Sequence, residues 1–360
     1  IIADFGKIIA PIKDWAEPTY STVTGIELSL SVIELMRQSE HVTLDIEVGV
    51  EKDQDFSHPD ILQCIGMSCK SNEVWVLSEE ICQNDEVMAA LGSMLEEHEG
   101  IICHNGKFDL QVLDRLDIAK GSKVAFDTML ASYALDERQG VHGLKYLSSE
   151  LLGAPAYDLE IKQYVSGGQS FANIPRHLLY KYNAYDVALT HELFEHYTHR
   201  LAAEGLRGLH DFLVGIANDL MLLELDGIKV DMDYLDELTD SYLEELVETE
   251  EELKHWVENP RSPKQVKEAL WKLNHSVEST NEETLKNIQD KTEADTNVNR
   301  FVSLMLRHRR EQKLYGTYVK GIRNRLIEDR VYPTFLLHGT VTGRLACRNP
   351  NLQNVPRESK

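Results

Sequence analysis

The chain has 360 residues, of which 42% are hydrophobic and 27% charged, a composition typical of a globular protein with two or three domains. No apolar run approaches the roughly 18 residues of a membrane helix, which argues against a membrane protein, and no signal-peptide pattern opens the chain. The formal net charge of −23 argues against a protein that binds nucleic acid over its whole surface.

The charge is unevenly distributed. Residues 300–360 carry 13 Lys and Arg against 4 Asp and Glu, whereas the rest of the chain carries 24 against 56. Phosphate contacts, if there are any, should therefore concentrate in this basic tail, where binding would depend on salt. A solvated basic helix over Arg307–Lys313 would explain the same basic residues.

The sequence has five cysteines, and they form no C-x-x-C pair. This predicts free thiols in a reducing compartment and argues against a structural zinc. The cysteines are Cys64, Cys69, Cys82, Cys103 and Cys347.

A lead segment over residues 1–40 is predicted to mix strands with a helix around Leu30–Gln38. The segment after it, V-T-L-D-I-E-V-G at 42–49, alternates apolar and polar residues and predicts a strand. Asp45 and Glu47 then lie on one face, roughly 6.5–7 Å apart. Two such carboxylates can share a hard cation such as Mg²⁺ or Mn²⁺. A half-exposed strand with a solvated acidic face fits the segment equally well.

A hairpin is predicted next, with Ile61–Lys70 paired to Glu73–Leu77 through a turn at residues 71–72. A short buried strand at 100–103, a turn and a helix over 107–116 follow. Asp109 therefore falls in the first turn of a helix that follows a strand, where ligand sites of α/β proteins collect. A carboxylate that only stabilises the helix dipole would occupy the same position.

The segment H-L-L-Y-K-Y-N-A-Y-D-V-A-L-T has apolar residues at helical spacing. Tyr182 and Asp186 are four residues apart and share one face of this helix. A tyrosine hydroxyl one turn from a metal-binding carboxylate can orient an attacking water, although a plain amphipathic helix with a solvated Asp would look similar. Each of the three acidic segments is weak evidence alone, and together, in this order, they indicate a nuclease.

Residues 41–200 alternate strands and helices, which predicts an α/β layer, and from about residue 205 the pattern is almost entirely helical. Asp231–Val257 is predicted as an amphipathic helix with a solvated acidic face. Ser262 and Pro263 mark the start of another helix. Residues 274–299 are polar and predict a mobile loop region, and a second long helix is expected over about Val298–Ile327.

The D-x-E, N-x-x-x-D and Y-x-x-x-D segments resemble those of DEDD 3′–5′ exonucleases, and the stretch F-D-T-M-L…L-L-G at 126–153 is similar to the proofreading domain of bacterial DNA polymerase I. The variant is the tyrosine type, because Lys181 stands where the histidine type has its His. The resemblance implies a ribonuclease H-like domain over 41–204 with a mixed sheet flanked by helices. It also implies two-metal hydrolysis with Mg²⁺ or Mn²⁺, whose ligands would be Asp45, Glu47, Asp109 and Asp186, with Tyr182 orienting the water. Asp127 matches a position outside the metal site, and we interpret it as a helix cap.

Four later segments resemble successive parts of family A DNA polymerases: the palm start at 220–231, thumb segments at 262–270 and 308–319, and the first polymerase motif at 340–357. Residues 205–360 are therefore expected to be the N-terminal part of a polymerase domain, mainly helical. The resemblance implies that Arg344 reaches the minor groove, where the acceptors of all base pairs are nearly alike. It also implies contacts to the DNA backbone or near the primer–template by Arg309, Lys313, Asn351, Gln353 and Asn354. Structural hydrogen bonding in a turn-rich segment is the alternative.

In the family, the palm aspartates and the nucleotide-binding helix follow the first polymerase motif, and the sequence stops at Lys360. We therefore expect no polymerisation from the chain as written, and a fragment, a truncated chain, or one part of a split polymerase whose other part is a separate partner. The leading hypothesis is the editing exonuclease plus thumb and partial palm of such a polymerase, in the cytoplasm of a bacterial or phage-infected cell. The alternatives are a standalone DEDD exonuclease acting on RNA or DNA 3′ ends, such as an RNA-trimming enzyme of the ribonuclease D type, and a non-catalytic DNA-binding subunit. The T-G-R-L segment disfavours the first, and the complete carboxylate set disfavours the second.

Overall fold

The computed structural model describes residues 15–49, 61–166 and 171–355. It divides into two compact units, Ile1–Leu225 with Phe335–Ala346, and Asp226–Thr334 with Cys347–Lys360. The domain boundary predicted at residues 204–205 stays a prediction. The first compact unit extends beyond it to Leu225, because the helix Arg207–Asp226 buries Val214, Ala217 and Met221 in the core of that unit.

The first unit is built on a six-stranded mixed sheet in the order β1-β4-β3-β2-β5-β6. Strands β2, β3 and β4 are antiparallel neighbours, whereas β1 pairs parallel with β4, and β5 pairs parallel with both β2 and β6. The strands are β1 Thr19–Val23, β2 Val42–Gly49, β3 Ile61–Ser68, β4 Glu73–Leu77, β5 Ile101–Cys103 and β6 Phe126–Asp127. The predicted hairpin is confirmed, and Asn72 supplies its left-handed turn residue with φ 63°.

Helices cover both faces of this sheet. One face packs its apolar residues, among them Leu44, Ile65 and Met67, against helices that include α1 and α3. The other face packs against the long helix α8, through residues such as Val74, Ala184 and Leu189. The helices of the first unit are α1 Ile26–Arg37, α2 Glu79–Cys82, α3 Asp85–Glu97, α4 Lys107–Arg115, α5 Thr128–Leu135, α6 Leu144–Leu147, α7 Leu159–Ser166, α8 Arg176–Ala203 and α9 Arg207–Asp226, with a π-helical turn at Ser148–Leu152 and a 3₁₀ turn at Phe171–Asn173.

The second unit is mainly helical. Its larger core joins four helices through residues that include Leu253, Leu270, Leu285 and Phe301. Its helices are α10 Met232–Leu253, α11 Pro263–Lys272, α12 Glu282–Lys291, α13 Asn297–Lys313 and α14 Lys320–Arg323, with a π-helical stretch at Leu314–Val319 and a 3₁₀ turn at Leu352–Asn354. Its strands β7 Ile228–Lys229 and β8 Arg330–Val331 form an antiparallel pair. Two further short strands, β9 Thr334–Leu336 and β10 Ala346–Arg348, each have residues in both units.

The expected fold class, an α/β ribonuclease H-like domain followed by a mainly helical region, is confirmed. The Ser262 cap is also confirmed, because its side chain accepts a hydrogen bond from the Gln265 amide. The predicted mobile loop at 274–299 is wrong. That segment contains α12, which is capped by Asn281 and buries Leu285 and Ile288. Only these two residues of the helix are buried, which is too few for a helical period of apolar residues to be recognised in the sequence.

The helix predicted over Val298–Ile327 is present from Asn297 to Arg323, with a π-helical stretch in its second half. The helix predicted around Leu30–Gln38 is likewise present as part of α1, whereas residues 1–14 of the lead segment lie outside the described residues.

All five cysteines are free thiols. In the part of the chain that the structure describes, none of the helices combines the length and the hydropathy that crossing a membrane requires.

Candidate metal centre and active site

Strand β2 places the first two acidic side chains. Asp45 pairs with Gly66 of β3 and Glu47 with Cys64, and a register shift follows directly after Glu47. The apolar residues that alternate with them, Leu44 and Ile46, face the core on the other side of the sheet. This alternation leaves both carboxylates on the face that α8 covers.

Helix α8 brings in Asp186 and Tyr182. Its close approach depends on Gly66, since a β-carbon there would lie 2.2 Å from Asn183 Oδ1. Asn183 in turn donates hydrogen bonds from Nδ2 to the Asp45 carbonyl at 3.1 Å and to Asp45 Oδ2 at 2.8 Å. These contacts fix the distance between α8 and β2 and thereby place Asp186 beside the carboxylates of the strand.

Three carboxylates converge as a result. Oxygen atoms of Asp45, Glu47 and Asp186 all lie within 4.8 Å of one another, the one such grouping of potential metal ligands found among the described residues. The donor set consists of oxygen atoms alone, which suits a hard divalent cation such as Mg²⁺ or Mn²⁺ and does not suit a soft metal. The residues present therefore fit a divalent metal site.

Asp109 stands beside this group. It is 4% exposed in the first turn of α4, and its Oδ1 accepts a hydrogen bond from the Ile46 amide at 3.1 Å. The predicted position at the end of β5 and the start of a helix is thus confirmed. Asp109 does not join the three-carboxylate grouping within 4.8 Å, so its role as a metal ligand remains a proposal.

Burial and mutual repulsion perturb these acids. Burial raises the pKa of Asp45 well above its usual range, and the neighbouring charges of Asp109, Asp186 and Glu47 raise it further. Burial also raises the pKa of Glu47, with Asp186 as the next cause. Burial raises the pKa of Asp109 to about 8, although the Ile46 amide opposes the shift. A bound cation would relieve this accumulation of buried negative charge.

The sequence-based prediction missed two side chains at the site. Lys145 Nζ forms an ion pair with Asp186 Oδ2, and the Tyr157 hydroxyl donates a hydrogen bond to Asp186 Oδ1. The ammonium also lies 4.3 Å from the centroid of the Tyr182 ring. Lys145 sits on the short helix α6, next to Leu144, and no pattern in the sequence singled it out. No local signal could have placed it here.

Asp127 plays the structural role expected for it. Its Oδ1 accepts hydrogen bonds from the amides of Met129 and Leu130 and so caps α5. The same carboxylate accepts from the Asn105 and Gly106 amides at 3.2 and 3.0 Å. It therefore also holds the turn that leads into α4 and thus positions Asp109.

The predicted DNA-contacting residues lie in both units. In the first unit, Arg344 is exposed. In the second, the Arg309 guanidinium donates to the Thr280 carbonyl, so part of its hydrogen-bonding capacity serves the fold. Four other predicted contact residues of the second unit are exposed: Lys313, Asn351, Gln353 and Asn354. The last two residues of the 340–357 motif lie outside the described residues. Contact of these residues with DNA stays a prediction.

Two family models match the chain. A 3′–5′ exonuclease model matches residues 20–202, which is half of the chain and contains all five predicted catalytic residues. A model described as DNA polymerase family A matches residues 232–360. The two matches follow one another along the sequence in the order that the motifs indicated.

Similar proteins agree with these matches. DNA polymerase I of Borreliella burgdorferi is 26% identical over 93% of this chain and 37% of its own length. DNA polymerase I of Aquifex aeolicus is 28% identical over 95% of this chain and 58% of its own length. The chain thus spans well under two thirds of these relatives. The POL domain of Pol1 from M. smegmatis, solved in complex with DNA primer-template and dNTP, has the same fold with a TM-score of 0.72. It is 19% identical, with 94% of this chain and 57% of that chain covered.

Proposed function

The chain belongs to DNA polymerase family A and carries a 3′–5′ exonuclease domain, and on this premise we propose that it removes nucleotides from the 3′ end of DNA by metal-dependent hydrolysis. The observation that carries the proposal is the convergence of Asp45, Glu47 and Asp186 within 4.8 Å inside the matched exonuclease region. The substrate would be the frayed primer end that a polymerase hands over for proofreading. The bacterial relatives favour the cytoplasm of a bacterial or phage-infected cell as its place of action.

We assign four carboxylates as ligands of two divalent cations, Mg²⁺ or Mn²⁺: Asp45, Glu47, Asp109 and Asp186. When bound, the cations would lower the pKa of the attacking water and stabilise the leaving 3′ oxygen. The side chains supply the negative charge that offsets the cations, and the sheet and α8 hold them in place before substrate arrives. The backbone hydrogen bond from Ile46 to Asp109 fixes one oxygen of that carboxylate.

Tyr182 would orient the attacking water. Burial raises the pKa of its hydroxyl above the usual range, and the charge of Asp186 raises it further. The hydroxyl therefore stays protonated at neutral pH, which suits it to donate or accept a hydrogen bond and does not suit it to act as a base. Its position one helical turn before Asp186 supports this assignment.

The basic C-terminal part would bind DNA. We propose that Arg344 contacts the minor groove near the primer terminus, with further contacts from Arg309, Lys313, Asn351, Gln353 and Asn354. The exposure of Lys313 and Arg344, and the local excess of Lys and Arg over residues 300–360, support this proposal. The match to family A polymerases over 232–360 favours DNA over RNA as the substrate. Nucleotide addition would need the catalytic residues of a complete polymerase.

The test is 3′ trimming of 5′-labelled single-stranded DNA in Mn²⁺ by the wild-type chain and by a double variant, Asp45→Ala with Glu47→Ala. Loss of two ligands should reduce the rate by at least about 1,000-fold, since the catalytic cations can no longer be held. An RNA oligonucleotide of the same sequence, tested in parallel, should be trimmed more slowly.

The matched control removes two exposed acids of the same unit, Glu86→Ala with Glu99→Ala, and should keep the wild-type rate. Undiminished trimming by the Asp45 and Glu47 variant would overturn the proposed site. Faster trimming of RNA than of DNA would overturn the proposed substrate.

A further inference from the structure

A lysine ammonium lies among the carboxylates of the candidate metal centre. Lys145 Nζ pairs with Asp186 Oδ2, and the Lys145 side chain is 32% exposed whereas that of Asp186 is 6% exposed. The pair therefore joins a buried carboxylate to a cation that still reaches solvent.

Both oxygens of Asp186 are engaged by the protein. Oδ2 pairs with Lys145, and Oδ1 accepts a hydrogen bond from the Tyr157 hydroxyl. A carboxylate offers about four lone-pair sites, so these two donors leave lone pairs on Asp186 that a divalent cation could use. A cation bound there would lie close to the Lys145 ammonium, and repulsion between the two positive charges favours withdrawal of this donor.

Lys145 is the donor better placed to give way. Its four-carbon stem is flexible, and its ammonium already lies 4.3 Å from the Tyr182 ring centroid and 5.3 Å from that of Tyr157. The two aromatic faces offer the ammonium a favourable environment that does not depend on Asp186. Displacement would thus lose the ion pair but could keep the cation–π contacts and gain contact with solvent, while the charge stays near the site.

We propose that Lys145 is a built-in counter-cation that competes with the divalent metal for Asp186. It holds the carboxylates together when no metal is bound and raises the metal concentration at which the site fills. Lys145 is then a positioning residue that acts through Asp186. This inference rests on the proposed function, because it takes the carboxylate grouping to be a metal site.

Two substitutions of Lys145 should shift metal affinity in opposite directions. Lys145→Met removes the competing charge and should tighten Mn²⁺ binding by about ten-fold, equivalent to about 1.4 kcal/mol. Lys145→Arg should weaken binding, because a guanidinium pairs with a carboxylate through two parallel hydrogen bonds. Binding of Mn²⁺ to the DNA-free protein is measured by calorimetry or by electron paramagnetic resonance, so no enzymatic turnover enters the readout.

Lys181→Met is the matched control. Lys181 lies on the same helix as Asp186 and is exposed, and its ammonium is 3.5 Å from Glu17 Oε1 and 5.4 Å from the Tyr185 ring centroid. This variant removes the same charge from a position outside the carboxylate grouping, and its Mn²⁺ affinity should stay within about two-fold of wild type, because exposed charges are well screened.

The outcomes separate the two proposals. If wild type and the Asp45→Ala, Glu47→Ala variant bind Mn²⁺ equally, the metal site itself is wrong. Suppose instead that Mn²⁺ binding by wild type requires Asp45 and Glu47. Competition by Lys145 is then overturned if Lys145→Met binds Mn²⁺ no more tightly than wild type, or if the Met and Arg variants shift the affinity in the same direction. Should Lys145→Met not fold, an Arg variant that binds Mn²⁺ as tightly as wild type also overturns it.

Discussion

Two clusters of buried charge lie in the first unit, and they differ in how that charge is balanced. In the metal centre, several carboxylates share one ammonium, that of Lys145. In the second cluster, Glu224 of α9 pairs with Lys107 and accepts hydrogen bonds from Gln111 Nε2 and the Phe335 amide, both at 2.5 Å. The second cluster is electrically matched, and the first carries excess negative charge.

Helix α4 takes part in both clusters. Lys107 and Gln111 are four residues apart and meet Glu224 on one side of the helix, whereas Asp109 points to β2. The charge-balanced cluster around Glu224 thus holds α4 in place. The same helix adds the Asp109 carboxylate to the metal centre, where the charge is not balanced. Matched buried charge serves the fold, whereas unmatched buried charge marks a place where a cation can bind.

The largest expected effect comes from unbalancing the second cluster. Glu224→Gln leaves the Lys107 ammonium, whose side chain is 12% exposed, without its counter-charge. We expect the free energy of unfolding to fall by about 3 kcal/mol, as is typical when one partner of a buried pair is removed. Urea denaturation measures this. The control is Glu204→Gln in the exposed pair with Arg200, which should cost less than about 1 kcal/mol. Equal losses in the two variants would contradict the comparison.

The opposite effect is expected in the metal centre. At pH 9, with a chelator present to remove divalent cations, Asp45→Asn removes one of several carboxylate charges that repel one another. This variant should raise the free energy of unfolding by about 2 kcal/mol. With saturating Mn²⁺ the same variant should be less stable than wild type, because it has lost a ligand. Thermal unfolding in the two buffers provides the measurement, and a destabilised variant in chelator would show that the carboxylates do not repel one another.

A pH dependence is the smallest of the three effects when it is followed over a single pH unit. The folded-state pKa of Asp109 is raised to about 8, above its unfolded value of about 4, so the folded state binds its proton more tightly. Its contribution to stability is therefore present at low pH and is lost as pH rises from about 4 to about 8. In a chelator, stability should fall by about 1 kcal/mol per pH unit between pH 6 and 8, and Asp109→Asn should flatten this slope. Identical slopes in wild type and variant would remove Asp109 as the cause.

Local patterns were sufficient where the signal was strong. Alternation over 42–49 predicted β2 and the shared face of Asp45 and Glu47, and helical spacing predicted that Tyr182 and Asp186 share a face of α8. The cap role of Asp127 was also foreseen, because F-D-T has the form of a helix start. These features depend on neighbours within a few residues.

The prediction failed at α12, where only Leu285 and Ile288 reach a core formed by other helices. Their burial depends on residues far along the chain, which no window of sequence contains.

Local patterns in the chain are therefore enough to identify the acidic residues and the elements that carry them, because the periods of strand and helix are local properties of the backbone. Folding then determines which charges meet. It gave Asp186 its partners Lys145 and Tyr157, from positions 41 and 29 residues away, and it gave Lys107 its partner Glu224, 117 residues away. Coulombic and hydrogen-bonding forces act over distances in space, so these partners exist only once the chain has folded.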